Sequence, residues 1–422
     1  MDEQIKLKAE YCLNCTAKPC KSKGCPLSND IPTFIKLVKE NKIKEAYNVL
    51  LDTTILGSVC GRICPHEKQC MGSCIRGIKA EPVQIGYLES FVFDQAIKNE
   101  YYKDIKKDDS LQGKRVAIIG GGPAGLNASF FLLRKGANVT IYEKHRELGG
   151  ILSHGIPEFR LEKDILDKTL IQLTWLGVNV EYGKELGKNL SLTKLKENYD
   201  AIFLAVGANI PGKMNIPGEN LIGVYGGNFI LENKNHPNYN GKIVAVIGGG
   251  NVAMDTARTA KRKGAKRVYV IYRRAEEQMP AEKKEIKKAK EEGIEFLFQN
   301  NILKILSKQN ENTVEKIECV KTKLVKKENE DRLSPVDIEN SNYFIDVDFV
   351  IMAIGSVPEK EMIDRLNLEL TKNGYIKVNE NYQTSIDKIF AGGDIIETKK
   401  TVAWAAKNGR EAANAIEKYL NK

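Results

Sequence analysis

Along residues 1 to about 108, apolar positions recur at helical spacing and nowhere alternate as a half-buried strand would. Pro32 opens a helix in which Phe34, Ile35 and Val38, then Ile43, Ala46, Tyr47 and Leu50, follow a period near 3.6. IGYLESFVFDQAIKN predicts another helix, and the charged run YYKDIKKDDSLQGK predicts a linker. Beyond it the pattern changes to short apolar strands, glycine turns and helices. RVAIIGGGPAGLNASFFLLRKGANVTIYEK reads as strand, turn, helix, strand. KIVAVIGGGNVAMDTARTAKRKGAKRVYVIYRR nearly repeats it 128 residues later, from Gly120 to Gly248. Each copy has a later apolar strand ending in a small-residue turn, AIFLAVGA at 201–208 and FVIMAIGSVP at 349–358. The last segment, KIFAGGDIIETKKTVAWAAKNGREAANAIEKYL, predicts a strand, a turn and a long helix. The expectation is an α/β chain with two Rossmann-like dinucleotide-binding units behind an α-helical region.

Each glycine turn carries its own chemistry. Gly120-x-Gly122-x-x-Gly125 (with Pro123 and Ala124 between) lies between strand and helix, where the first glycine turns sharply and the second lets backbone approach a pyrophosphate. The third permits close helix packing, and the phosphates meet the free N–H groups of the helix start. Glu143, 23 residues after Gly120, stands where a carboxylate accepts ribose hydroxyls. The second copy reads Gly248-x-Gly250-Asn251-x-Ala253, and the position expected to match the acid is Arg273, followed by Arg274. Guanidinium groups there would grip a 2′-phosphate, so this site should take NADP(H). Two dinucleotide sites suggest a bound flavin and a diffusing nicotinamide. Gly393-Asp394 of FAGGDI would reach the flavin's ribityl hydroxyls, and the helix beginning near Thr401 would aim its positive end at the ring.

Composition narrows the classes. The 422 residues leave room for two or three domains, and 42% hydrophobic with 28% charged residues is a globular balance. No apolar run of membrane-spanning length occurs, and MDEQIKLKAE does not read as a secretory signal. The net charge of +10 comes from Lys interleaved with Glu, as in AEKKEIKKAKEEG, which describes solvated helix faces and requires no nucleic acid or membrane partner. Eight of nine cysteines lie between Cys12 and Cys74. In the reducing, cytoplasmic setting expected here, such clustering means metal or catalysis and not disulfides. The spacing is Cys12-x2-Cys15-x4-Cys20-x4-Cys25, then Cys60-x3-Cys64-x5-Cys70-x3-Cys74. Structural zinc remains open. Cys25-Pro26 and Cys64-Pro65 fit an iron–sulfur habit, and an adjacent flavin makes two [4Fe–4S] clusters the favoured reading. His66, His145, His154 and His236 form no triad or metal spacing.

GGGPAG, GGGNVA and FAGGD resemble the flavoprotein fold of glutathione and thioredoxin reductases, in which the nicotinamide domain is inserted into the flavin domain. The resemblance implies an FAD domain at 109–220 and 350–422 and an NADPH domain at 221–349, behind the helical region at 1–108 whose cysteines are expected to bind two clusters. A disulfide reductase would need a cysteine pair in this part, where Cys319 stands alone. CLNCTAKPCKSKGCPLSNDIP, GSVCGRICPHEKQCMGSC, EPVQIGYLE, GIPEFRL and YRRAEEQMPA complete a resemblance to the glutamate synthase small (beta) subunit family. That family is similar to the flavin half of dihydropyrimidine dehydrogenase and to the large subunit of NADH-dependent ferredoxin:NADP oxidoreductase. It implies one cluster on Cys12, Cys15, Cys20 and Cys74, another on Cys25, Cys64, Cys70 and Glu89, and Cys60 ligating nothing. Flavin contacts map to the Gly120–Gly125 turn, Glu143, Gly150, Arg160, Gly393, Asp394 and Thr401. Nicotinamide contacts map to Gly248, Gly250, Asn251, Ala253, Arg273, Arg274 and Gly355. The implied activity is NADPH-dependent electron transfer to a separate acceptor, either a glutamate synthase large chain-like subunit or a ferredoxin or flavoprotein subunit.

Overall fold

The computed structural model describes residues 3–232, 236–309, 311–327 and 332–422. They form two compact units, one of residues 1–208 with 358–422 and one of residues 209–357.

In the first unit the N-terminal region is helical, with Glu3–Glu10, Ile31–Lys39, Ile43–Leu51, Gly57–Ile63 and Ile85–Lys98 as its α-helices. The single helix expected from Pro32 to Leu50 is two helices. Asn41 takes a left-handed conformation (φ 58°), and the Lys42 N–H reaches back to the Leu37 carbonyl at 2.8 Å, which ends the first helix by satisfying its last carbonyls. The apolar period runs across this break because both helices present Phe34, Ile35, Val38, Ala46, Tyr47 and Leu50 to one core, each fully buried. Helices Gly57–Ile63 and Ile85–Lys98 pack with very little separation. A side chain at Gly57 would collide with the Phe93 ring, and one at Gly61 with the Gly86 carbonyl.

The rest of this unit is a five-stranded parallel sheet in the order Ile389–Ala391, Ala201–Leu204, Arg115–Ile119, Asn138–Glu143, Asn179–Tyr182. Helix Pro123–Arg134 follows the central strand and is buried from Pro123 through Leu133. The C-terminal helix Val402–Leu420 lies against it, and Gly409 makes the approach possible, since any β-carbon there would strike the Ala124 carbonyl. Asn127, with no exposed surface, ties three segments together. Its amide donates to Thr53 O at 3.2 Å and Ala406 O at 2.8 Å, and its oxygen accepts from Ile55 N at 3.2 Å. The helical region and the sheet therefore share one hydrophobic core.

The second unit repeats the plan. Its parallel sheet runs Val224–Gly226, Phe349–Met352, Ile243–Ile247, Arg267–Tyr272, Glu295–Phe298, with helix Asn251–Arg262 after the central strand. An antiparallel sheet of Asn300–Ser307, Val314–Val325, Ser334–Asp337 and Tyr343–Asp346 completes it. Ile210–Pro211 pairs antiparallel with Ser356–Val357 where the chain enters and leaves, so this unit extends beyond the glycine-loop segment at both ends. Among the described residues no helix is long and apolar enough to cross a membrane.

Because Gly409 has no room for a methyl group, Gly409→Ala should separate the two helices and lower stability by about 1–3 kcal/mol, the usual cost of overpacking. A thermal unfolding midpoint equal to wild type would show that the helices slide freely.

Candidate cofactor sites

The cysteines gather into two sets. Cys12, Cys15, Cys20 and Cys74 line one cavity, closed on its inner side by Ile31, Ile35, Val83 and Ile85. The thiols act on one another electrostatically, and burial pushes Cys20 up to about 11. Cys25, Cys64, Cys70 and Glu89 form the second set. Burial pushes Cys25 up to about 12, with the Glu89 carboxylate adding to the rise, and it holds Cys70 well above the ordinary thiol value. Glu89 itself is only 5% exposed, on the helix whose close packing at Gly61 carries it inward. Burial raises it to about 8, against a single 2.9 Å hydrogen bond donated by Asn29. Cys60, also buried, is hydrogen-bonded to Cys64 and near Cys25 and Cys70. Among the described residues no three His, Cys, Asp or Glu side chains converge closely enough for a single metal ion. Donors that burial keeps neutral would give up their protons to a cationic occupant. Thiolate donors in two fours suit iron–sulfur clusters.

At the first glycine loop, Gly120 has φ 102°, and a side chain at Gly125 would collide with the Gly120 carbonyl. Gly122 caps the helix whose first residues are Pro123 and Ala124. Gly150 (φ 55°) folds back over the loop, where a β-carbon would come within 3.0 Å of Gly122 Cα, and the Gly149 N–H donates to Gly121 O at 2.7 Å. Glu143, buried, accepts from Gly121 N at 2.8 Å and His145 N at 2.9 Å, one on each oxygen. Its remaining lone pairs stay open for hydroxyl donors. Half-buried Arg160 lies on the turn before helix Lys163–Leu176. Gly393 (φ 74°) brings its turn against Ala124, and Asp394 follows with Oδ1 buried and without a hydrogen-bond partner. Burial raises this carboxyl to about 6. An orphaned acceptor beside a helix start bared by glycines fits a dinucleotide with polyol hydroxyls. Thr401 caps the C-terminal helix, accepting from Trp404 N at 3.4 Å.

At the second loop, Gly248 has φ 138° and Gly250 caps helix Asn251–Arg262, in which Ala253 is fully buried. Here the strand register corrects the sequence reading. Ile119 pairs with Tyr142, so Glu143 comes next; Ile247 pairs with Ile271, so the counterpart of Glu143 is Tyr272 and not Arg273. The gap between helix and strand is one residue longer here, 263–266 against 135–137, which moves the counterpart from 23 to 24 residues past its first glycine, one short of Arg273. The Tyr272 ring fills the space over Gly249, and its hydroxyl donates to Gln278 O at 2.8 Å. The chain after it folds back on the loop, with Ala281 N donating to Gly249 O at 3.0 Å and Glu282 N to Asn251 Oδ1 at 3.0 Å. Arg273 is exposed, and Arg274 Nε donates to Leu333 O at 3.0 Å. Gly355 (φ 112°), after strand Phe349–Met352, has open space where a side chain would stand.

Residues 114–417 match the pyridine nucleotide-disulphide oxidoreductase family, and residues 1–101 match dihydropyrimidine dehydrogenase domain II, 4Fe-4S cluster. The glutamate synthase [NADPH] small chain of Escherichia coli K12 is 36% identical over 435 residues, covering 99% of this chain and 92% of that protein. The chain belongs to the glutamate synthase small-chain family. As a member it is an NADPH-dependent FAD and iron–sulfur oxidoreductase. The family also reaches the NADP(+)-dependent formate dehydrogenase subunit beta of Moorella thermoacetica, at 35% identity over 95% of this chain and 60% of that one. In fold, the chain is similar to Mycobacterium tuberculosis FprA in complex with NADPH (TM-score 0.63, 20% identity, 73% of this chain and 84% of that one).

Within this small-chain member, sequence reasoning missed Asn29 and Tyr272. Asn29 lies 60 residues from the carboxylate it bonds, and no local pattern signals that. Tyr272 was detectable by counting the longer loop. Cys319 is fully buried in the antiparallel sheet and packed against Tyr343.

Asp394 holds its proton more tightly folded than unfolded, so its contribution is fully present below about pH 4 and is lost as pH rises through about 6. In flavin-free protein, wild type should lose up to about 2–3 kcal/mol relative to Asp394→Asn across that window. Parallel pH–stability curves for the two proteins would contradict this.

Proposed function

We propose that the chain is the NADPH-oxidising subunit of a larger enzyme and delivers electrons singly to a separate acceptor protein. The observation that carries this reading is two sets of four soft or carboxylate donors, built in the same compact unit as the Asp394 glycine turn. FAD would be held by the Gly120–Gly125 turn, Glu143, Gly150, Arg160, Gly393, Asp394 and the Thr401 helix start. NADPH would be held by Gly248, Gly250, Asn251, Ala253, Arg273, Arg274 and Gly355. Two [4Fe–4S] clusters would take Cys12, Cys15, Cys20 and Cys74, and Cys25, Cys64, Cys70 and Glu89. Together, when bound, these groups supply conversion of a two-electron hydride donor into one-electron delivery.

The protein's own work is orientation and electrostatics. Glu143, fixed by two backbone N–H groups, would accept ribose hydroxyls. Asp394 would exchange its orphaned oxygen for a hydrogen bond from a flavin hydroxyl, which would restore its ionised form. The exposed Arg273 guanidinium would meet a 2′-phosphate. The acceptor site belongs in a partner. Relatives named as a small chain and as a subunit beta support that, and a large chain of the glutamate synthase type or a ferredoxin or flavoprotein subunit is the partner class we infer.

Anaerobically purified protein should carry about eight irons and eight sulfides per flavin and, alone, reduce only artificial dyes with NADPH. Zinc without sulfide would replace the electron-transfer reading with a structural N-terminal region. Arg273→Ala should raise KM for NADPH about 10–100-fold, the size of a lost charge-assisted hydrogen bond, and leave NADH kinetics nearly unchanged. Equal effects on both nucleotides would refute the phosphate assignment.

A further inference from the structure

The second donor set contains a carboxylate in addition to its thiols and lies mostly out of water. The main charged neighbours of Cys25, Cys60 and Cys70 are one another and Glu89, all acidic. The first set differs, because Arg76 acts on Cys12 from the surface, held there by a 3.0 Å hydrogen bond to Tyr11 O and by the Tyr11 ring. A cation for the second set arrives from the opposite end of the sequence. Arg410, on the C-terminal helix, donates from Nη1 to the Leu27 carbonyl at 2.8 Å, two residues past Cys25, and its charge acts on Cys25. Its side chain is 15% exposed, so solvent screens it only partly. The adjacent Glu411 carboxylate stands 4.0 Å from Nη2 and offsets some of that charge. The same helix begins at Thr401 and packs on the Asp394 turn, so one rigid element touches both the flavin-type turn and the Cys25 loop.

We propose that Arg410 is a positioning and electrostatic residue for the second iron–sulfur site. It pins the Cys25–Leu27 loop to the C-terminal helix and raises the reduction potential of the centre held by Cys25, Cys64, Cys70 and Glu89. This rests on the reading that those four residues hold a cluster. Net charge and hydrogen bonding around a cluster set its potential, and a nearby positive charge favours the more negative, reduced state. Without Arg410, an anionic carboxylate-ligated centre in low dielectric would resist a further electron.

The test is a redox titration followed by electron paramagnetic resonance, on the anaerobically purified full chain and its Arg410→Gln, Arg410→Lys and Glu411→Gln variants. In Arg410→Gln one of two midpoints should fall, with about tenfold fewer reduced centres at fixed potential, which is 59 mV for a one-electron couple. The other midpoint and the iron content should match wild type. Arg410→Lys should recover most of the shift, and Glu411→Gln should move the same midpoint upward. Full iron with both midpoints unmoved in Arg410→Gln overturns the assignment of Arg410 and leaves the cluster reading standing. If Arg410→Gln loses the centre, Glu411→Gln decides, and an unmoved midpoint there overturns the electrostatic role. A wild-type chain that never holds the second cluster overturns the underlying reading, and the proposal with it.

Discussion

The contact between helices Pro123–Arg134 and Val402–Leu420 is the constraint on which the first unit depends. It is made at Gly409, where the C-terminal helix comes so near the Ala124 carbonyl that no side chain fits. Gly393 meets Ala124 from another direction, so the Asp394 turn rests on the first turn of the glycine-loop helix. Asn127, one helical turn further along, adds hydrogen bonds to the C-terminal helix and to the Thr53–Ile55 loop of the cysteine region. Leaving any of these buried amide groups unpaired would cost about 1–3 kcal/mol. The Asp394 carboxylate and a loop of the cysteine region thus take their positions from one helix pair.

The cysteine region shows the opposite economy. Its helices supply little polar compensation, and they bury thiols and a carboxylate together in surroundings that push each toward its neutral form. An apolar cavity lined by four cysteines, and a second set gathered around Glu89, form a fold whose unmet electrostatics match a metal cluster. Binding and folding are coupled wherever ligands must lose protons to bind.

The two glycine-loop repeats share the order of four parallel strands, helix length and a capping glycine, and yet they carry different chemistry at one position. The divergence lies at the second strand's end. Glu143 keeps its carboxylate there on two backbone donors, whereas Tyr272 fills the same place with a ring and leaves the charged positions to the residues after it. The residue inserted in the preceding loop shifts only the count: strand register is kept, so residue 272 occupies the place of residue 143.

Much of this was legible in the chain itself. The glycine loops, the strands around them, the helix starts and the cysteine pairs are local patterns, and local backbone sterics and apolar period determine them. The break at Asn41 escaped the pattern because a left-handed turn leaves the apolar spacing on both sides intact. The counterpart of Glu143 escaped because register is a property of paired strands and not of counting from a glycine. Only tertiary structure could bring Asn29 to Glu89 across 60 residues, or Arg410 to Leu27 across 383. Such pairs are selected by burial, where an unpaired charge is costly, and burial is decided by the packed core and not by any stretch of sequence.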